Sequence, residues 1–205
     1  MSEAIPGATG AAVSPEDLAR ANLYALIGRL FYDAPDSMLL AEMSSPGAAC
    51  ADSEGGITLA WSRLRAAAAS AYPMRLKQEY DMLFVGVGKA EVTPYTSHYI
   101  VGIPPDQYLL RLRNQIGSWG LARRNTAGET EDHVAGVCDV MRFLISDGRS
   151  VEEQRLFFKE FVYDAGTRFI QAIDASASAV FYRQVGEFAR AFLEMEKRSL
   201  EMEEG

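Results

Sequence analysis

The segment SPEDLARANLYALIGRLFYDAP, residues 14–35, decides the fold class because it carries the signals of an amphipathic α-helix. Ser14 stands at the N-cap position, Pro15 occupies the first helical position, and Asp17 follows three residues after the cap. Apolar side chains then recur at helical spacing until Pro35 ends the pattern. The predicted buried face consists of Leu18, Leu23, Leu26, Ile27, Leu30 and Phe31.

The same periodicity continues along most of the chain. Further helices are predicted over residues 36–43 and 57–71, after Pro73, Pro104 and Thr130, around 167–173, and over a long final segment. Ser150 and Glu153 have the spacing of a capping box. The helix after that box is predicted to bury Leu156, Phe157 and Phe161, and the final helix Val180, Phe181, Val185, Phe188, Phe192 and Leu193. No segment shows strand alternation, so we predict an all-α fold.

The length of 205 residues fits a single-domain multi-helix bundle. Residues 1–13 are small and glycine-containing, and we expect them to be disordered. Residues 14–200 form the predicted helical domain, with a loop over residues 44–56, and residues 201–205 a charged tail. No stretch approaches the roughly 20 apolar residues that span a bilayer, and no secretory signal is recognisable. We therefore expect a cytoplasmic protein.

The formal net charge of −8 disfavours nucleic acid as a partner and suits a basic one, although an acidic surface also serves solubility alone. Cys50 and Cys138 lie far apart and form no CxxC pair, which argues against a disulfide framework or a structural zinc site. His98 and His133 are the only histidines, so no histidine-rich metal site can form. No nucleophile or phosphate-loop motif is present, and we predict a protein without catalytic residues, metal or cofactor.

Two polar or aromatic segments interrupt the helical pattern. Residues 129–133, ETEDH, suit either capping of the helix that follows or a binding role, with catalysis or metal binding a third alternative. Residues 79–100, EYDMLFVGVGKAEVTPYTSHYI, begin as a helix and become a loop that contains two glycines and several aromatic residues. Such aromatic residues either anchor the loop on the core or bind a ligand, and long loops are biased toward function.

The order of these segments resembles the TorD/DmsD/NarJ family, whose members are cytoplasmic chaperones that mature molybdenum-containing redox enzymes. The resemblance covers about residues 15–198. The family pattern Y-x-x-L-F-x-G-P-G is matched by Tyr80, Leu83, Phe84, Gly86 and Gly88; P-Y-E-S-x-Y by Pro94, Tyr95, Ser97 and Tyr99; and E-P-x-D-H by Glu129, Asp132 and His133. Three positions depart from the pattern: Val87 and Thr130 replace prolines, and Thr96 replaces a glutamate.

The resemblance implies an all-helical chaperone that is not an enzyme. Its client would be the precursor of a molybdopterin-containing oxidoreductase subunit, bound through a twin-arginine signal peptide or an N-terminal tail until the cofactor is inserted, which prevents premature export. Proteins of molybdenum cofactor synthesis are further expected partners, and the chain is expected as a monomer or a domain-swapped dimer. The implied client-binding residues are Tyr80, Phe84, Gly86, Gly88, Pro94, Tyr95, Ser97, Tyr99, Glu129, Asp132 and His133.

These residues suggest a division of labour within the expected site. The aromatic side chains would make apolar contacts or anchor the loop, the acidic ones and His133 would meet the arginines, and the glycines would act as a hinge. Two alternatives remain open. One is a general helical interaction scaffold, which would retain many unrelated partners; the other is a small-molecule-binding protein, which would have a deep, closed polar pocket at Glu129 and His133.

Overall fold

The structure, a computed structural model, describes residues 13–45, 56–86, 88–122 and 128–202. Almost all of the expected disordered segment 1–13, most of the expected loop 44–56, the departure at Val87 and the last three residues of the expected tail lie outside these ranges. The expectations for those residues therefore stay predictions.

The described residues form an all-α fold, as the sequence predicts. The α-helices are α1 (Pro15–Tyr32), α2 (Ser37–Ser44), α3 (Gly56–Ala69), α4 (Pro73–Tyr80), α5 (Pro105–Ser118), α6 (Val134–Ser146), α7 (Val151–Phe157), α8 (Asp164–Ala175) and α9 (Phe181–Met202). A π-helical segment, Asp81–Val85, extends α4, and a second, Phe158–Tyr163, joins α7 to α8. The separate helix expected around 167–173 is therefore part of a helical run that begins at Val151.

Two helix starts follow the predicted capping chemistry, whereas the helix expected after Thr130 begins at Val134 with His133 as its N-cap. The Ser14 hydroxyl accepts a hydrogen bond from the backbone N–H of Asp17 at 3.0 Å. Ser150 and Glu153 form the complete capping box, in which each side chain accepts from the backbone N–H of the other residue. Each bond satisfies a helix N–H that has no partner within its helix, and such caps contribute about 1 kcal/mol. These helix starts are local properties of the sequence.

Three helix–helix contacts organise the core of the described residues. Helix α1 packs along α6, and α9 packs against α3 and α8. The α1–α6 contact is close at Gly28, where an added Cβ would lie 3.3 Å from Cβ of Cys138. Burial in this contact raises the pKa of the Cys138 thiol to about 12.

Three residues predicted to be buried are exposed instead. Leu18 is 55% exposed, Leu156 is 54% exposed and Val180 is 72% exposed. The side chains of Ala21, Tyr24 and Gln154, which were not assigned to the apolar faces, turn inward instead. Val180 precedes α9, and its backbone N–H donates to the carboxylate of Glu79 at 2.8 Å. Periodicity indicates one face of a helix, but the neighbouring elements decide where along that face burial begins and ends.

Candidate functional site

An isolated antiparallel bridge joins the central loop to the start of α6. Tyr95 pairs with His133. The N–H of Thr96 donates to the carbonyl of Asp132 at 2.7 Å, and the N–H of Val134 donates to the carbonyl of Pro94 at 2.9 Å. The structure therefore brings together the second and third segments of the family pattern, residues 94–99 and 129–133, which are distant in the chain.

Side chains fix the same loop at several further points. Thr96 is buried, its hydroxyl donates to the carbonyl of Asp132 at 3.0 Å, and it accepts from the Tyr108 hydroxyl at 3.0 Å. The Tyr99 hydroxyl donates to the carbonyl of Thr93 at 2.8 Å, and its ring lies 5.9 Å from that of Phe169. Burial raises the pKa of Tyr99 to about 12. Thr96, which stands where the family pattern has a glutamate, thus occupies an enclosed position in which its hydroxyl has both a donor and an acceptor partner.

The first glycine of the loop, Gly86, is one of the two residues expected to act as a hinge. Gly86 has φ +67°, and an added Cβ would lie 2.3 Å from the carbonyl oxygen of Lys89. Its N–H donates to the carbonyl of Asp81 at 2.6 Å and closes the π-helical segment. Gly86 therefore makes a tight turn that only glycine fits. Gly88 also has positive φ, +99°, but lies in open space.

Tyr80 and Phe84, two of the expected client-binding residues, lie in the core. The Tyr80 hydroxyl donates to the carbonyls of Phe31 and Tyr32 at 3.2 and 2.7 Å, and thereby caps the last turn of α1. Phe84 packs edge-to-face on Phe31 and Tyr182, with ring centroids 6.0 and 5.0 Å apart. Burial, with the charges of Asp33 and Glu129 nearby, raises the pKa of Tyr80. Both residues anchor the segment rather than present a contact surface.

His133 occupies the N-cap of α6. Its Nδ1 accepts from the N–H of Ala135 at 3.2 Å, which places the proton of the neutral ring on Nε2. The rings of Tyr32 and Tyr95 stand edge-to-face to the imidazole, with centroids 6.2 and 5.4 Å away. Burial lowers the pKa of His133, and the charges of Glu129 and Asp132 oppose that shift only in part. His133 is therefore a neutral element between two tyrosines.

The two carboxylates expected to meet arginine differ in environment. Asp132 is buried, and its oxygens accept from the hydroxyls of Ser97 and Thr130. Glu129 is half-buried and accepts from the Tyr95 hydroxyl. Burial, with Glu129 as acceptor, raises the pKa of Tyr95 to about 12. Asp132 thus organises the loop, whereas Glu129 lies nearer the surface.

Tyr32 and Asp33 belong to the same place but were not predicted. Tyr32 is 53% exposed and its ring lies beside His133. Asp33 is exposed, and its negative charge, together with that of Glu129, contributes to the raised pKa of the Tyr80 hydroxyl. The sequence signal that could have found them is the pair of polar residues directly after the buried Leu30 and Phe31. We define the aromatic–acidic site as Tyr32, Asp33, Tyr95, Glu129 and His133.

The arrangement lacks the geometry of a hydrolase. The hydroxyl of Ser97 donates to Asp132 directly, and Nδ1 of His133 is bound to backbone, so these three residues do not form a nucleophile–base–acid series. Among residues 13–45, 56–86, 88–122 and 128–202, no group of three or more histidine, cysteine, aspartate or glutamate side chains is placed to hold a metal ion. Across these same ranges, no helix is long and apolar enough to cross a bilayer.

Two surface depressions lie away from the aromatic–acidic site. One, of about 620 Å³, is at the start of α4 and is lined by residues 72–75 and Gln78. The other, of about 490 Å³, lies between α3 and α9. Neither is lined by Glu129 or His133, the pair around which a small-molecule-binding protein was expected to have its pocket.

Comparisons with known proteins converge on one family. Residues 51–172, more than half of the chain, match the family model described as nitrate reductase delta subunit. The crystal structure of a proposed redox enzyme maturation protein from Archaeoglobus fulgidus superposes with a TM-score of 0.52 at 20% sequence identity, over 89% of this chain and 93% of that one. That likeness shows a shared fold. No curated protein sequence matches the chain. The matched range includes the central loop and the start of α6 but not Tyr32.

Proposed function

Because this chain belongs to the nitrate reductase delta subunit family, whose members are maturation chaperones and not catalysts, we propose that it binds the N-terminal segment of a molybdenum-containing oxidoreductase subunit. The segment is a twin-arginine signal peptide or an equivalent tail. The chaperone holds the precursor in the cytoplasm until the molybdopterin cofactor is inserted, and so prevents premature export. Proteins that synthesise the cofactor are its further partners in this role.

The observation that carries this proposal is the aromatic–acidic site. Tyrosine faces and carboxylates are the groups that bind a guanidinium in proteins, through cation–π contact and paired hydrogen bonds. Tyr32 is exposed, and Glu129 can accept from a guanidinium as well as from Tyr95, because a carboxylate has about four lone-pair positions. His133 stays neutral between the two rings and so does not repel a cation.

The buried residues of the expected site position these contacting groups. Tyr80 fixes the backbone of Tyr32, while Ser97, Thr130 and the backbone of Thr96 fix Asp132 next to His133. Pro94 and Val134 close the bridge that holds Tyr95. In this arrangement Tyr32, Tyr95 and Glu129 contact the client, and the remaining residues hold them in place.

The apolar half of such a segment adds a helix-in-groove contact. Burying roughly 600 Å² of apolar surface yields about 15 kcal/mol gross at about 25 cal/mol/Å². Ordering the peptide and losing rigid-body freedom offset most of that. The expected net affinity is micromolar, about −8 kcal/mol. Such an affinity allows the chaperone to release its client.

The test is calorimetric titration of the protein with twin-arginine peptides from molybdoenzyme precursors and with the same peptides in which both arginines are lysine. We expect micromolar binding of the arginine peptides, about tenfold weaker binding of the lysine peptides, and a similar loss for Glu129→Gln. Glu152→Gln, an exposed carboxylate on α7 paired with Arg155, is the matched control and should bind normally.

Two outcomes contradict the proposal. Equal binding of arginine and lysine peptides by wild type and Glu129→Gln would remove the assigned site. Retention from cytosol of many unrelated proteins, with no precursor held through its N-terminus, would identify a general scaffold instead.

A further inference from the structure

The groove between α3 and α9 carries charges of alternating sign along one face of a helix. From α9 it is lined by Glu187, Arg190, Ala191, Glu194, Met195 and Arg198. The four charged positions are three or four residues apart, so they follow one another along the same face. Read from the N-terminal end, their signs are negative, positive, negative and positive.

This order is complementary to its own reverse. In an antiparallel pair of α9 helices related by a two-fold axis near positions 192–193, Glu187 of one copy lies opposite Arg198 of the other. Arg190 then lies opposite Glu194. Each of these two pairs of opposite charges occurs twice, once on each side of the axis, as an isologous interface requires. Ala191 falls near the axis, where a small side chain lets two helices approach closely.

We propose that this groove is the interface of a symmetric dimer of the chain, in which α9 and α3 of each copy pack antiparallel on the same elements of the other. The four helices at the contact then resemble a four-helix bundle. The occupant of the groove is a second copy because the four α9 charges match their own inverted order, and Arg63, which also lines the groove, is paired with Glu187 within each copy. A uniformly acidic or basic partner would meet like charge at two of the four positions.

Bonds within each copy hold the stripe in place. Arg63 of α3 donates to Oε2 of Glu187 at 3.3 Å, the Tyr163 hydroxyl donates to Oε1 of Glu194 at 2.7 Å, and Arg190 pairs with Asp174. Each of these bonds occupies one of several hydrogen-bonding positions on its carboxylate or guanidinium, so each charged group can also bond to a second copy. The charged groups are thus ordered before a second copy arrives, which lowers the entropy cost of association.

Apolar contact comes from the rim of the groove. Leu59 on α3 is 55% exposed, and Met195 on α9 is half-buried. The stripe from 187 to 198 is about 18 Å long at 1.5 Å per residue. A contact of that length, one helix face wide, buries less surface than the roughly 800 Å² per partner of a standard protein–protein interface. We therefore expect a reversible dimer with a dissociation constant of tens of micromolar, about −6 kcal/mol.

The experiment uses two variants of the full chain. The acidic variant carries Arg190→Glu and Arg198→Glu, and the basic variant carries Glu187→Arg and Glu194→Arg. Sedimentation velocity at about 0.15 M salt, where the Debye length is about 8 Å, compares each variant alone with their equimolar mixture. We expect the wild type to dimerise with concentration, each variant alone to associate at least about tenfold more weakly, and the mixture to dimerise at least as well as wild type.

Matched controls separate this contact from a general effect of charge. Arg111→Glu/Arg142→Glu changes the net charge as the acidic variant does, and Glu152→Arg/Glu160→Arg changes it as the basic variant does, both at exposed positions outside the groove. These controls should dimerise like wild type, and circular dichroism melts report whether each variant folds. A wild type that stays monomeric at millimolar concentration overturns the proposal. So does unchanged self-association of the folded variants, or a mixture of folded variants that stays monomeric.

Discussion

Arg20 and Glu196 form a two-bonded ion pair between α1 and α9, across 176 residues of sequence. Nε and Nη2 of Arg20 donate to Oε1 and Oε2 of Glu196 at 2.7 and 3.0 Å. The Glu196 side chain has no solvent exposure, and the Tyr24 hydroxyl donates to it at 3.1 Å. Nη2 of Arg20 also donates to the buried side chain of Gln154 on α7 at 3.1 Å. This network joins the first helix, the last helix and α7.

Breaking the Arg20–Glu196 pair from one side should destabilise the fold strongly. Glu196→Ala removes the two-bonded partner of a largely buried guanidinium, which keeps its bonds to Asp17 and Gln154, and it leaves the buried Tyr24 hydroxyl without its acceptor. We expect a loss of about 3 kcal/mol in the free energy of unfolding. The paired apolar replacement Arg20→Met/Glu196→Leu should recover only part of that loss, because it removes both charges but leaves the buried Tyr24 hydroxyl without its acceptor. Urea denaturation measures each value. Asp139→Ala, which removes an exposed pair with Arg142, is the control and should cost less than about 1 kcal/mol.

Gly86 and Gly117 should respond to alanine with opposite signs. Gly86→Ala introduces a Cβ that meets the backbone of Lys89 at 2.3 Å in a left-handed conformation, so we expect a loss of at least about 1 to 3 kcal/mol. Gly117 lies within α5, and an added Cβ there meets nothing within 4 Å. Gly117→Ala should therefore stabilise by about 0.5 to 1 kcal/mol. Thermal unfolding distinguishes the two. If Gly86→Ala is neutral, Gly86 is not held in the tight turn.

His133 should make stability depend on pH in the acidic range. Its pKa in the folded protein is lowered, so the unfolded chain binds the proton first as pH falls below about 6.5. The free energy of unfolding therefore decreases with falling pH from that point and levels off for this group below its folded pKa. In His133→Asn, the asparagine can still cap α6 but does not titrate. The difference in stability between the two proteins should narrow as the pH is lowered; a constant difference would contradict the assignment.

Thr96 and Tyr108 should be energetically coupled. Thr96→Val removes one acceptor of the buried Tyr108 hydroxyl, which keeps the carbonyl of Phe161 at 3.3 Å, and one donor to the carbonyl of Asp132, which keeps the N–H of Thr96. We therefore expect a loss of about 0.5 to 1.5 kcal/mol. Tyr108→Phe should cost less, and the double variant should be less destabilised than the sum of the two. A double-mutant cycle by urea denaturation measures the coupling. Strict additivity would show that the hydrogen bond contributes nothing.

Thr96→Glu, which restores the glutamate of the family pattern, should destabilise this protein. Position 96 is 2% exposed, and an ionised carboxylate placed there loses hydration next to the buried Asp132. We expect a lower midpoint of thermal unfolding at neutral pH, with partial recovery at acidic pH as the new carboxyl group binds a proton. Full stability at neutral pH would indicate that the loop opens to admit the side chain.

Only local features of the candidate site were predictable from the sequence. The segments that contain Tyr95, Glu129 and His133 were recognised from their motif spacing. Which of their side chains point into the core and which point to the surface was not predictable, because that depends on packing against α1 and α8. Tyr80 and Phe84 proved to be core residues, and Tyr32 lies beside His133 although 101 positions separate them in the chain.

The sequence alone determined most of the helices, the caps at Ser14 and Ser150, and the family. Helix formation depends on contacts three or four residues apart, so a pattern such as that of residues 14–35 contains the necessary information, and Ser14 and Ser150 cap as their spacing indicates. The tertiary structure decided which face each helix buries, how Arg20 meets Glu196, and how Tyr32 and Tyr95 come to flank His133. Those relations follow from the packing of whole helices against one another. The packing energy is a sum over contacts between residues distant in the chain, and the periodicity of a single helix contains no information about those contacts.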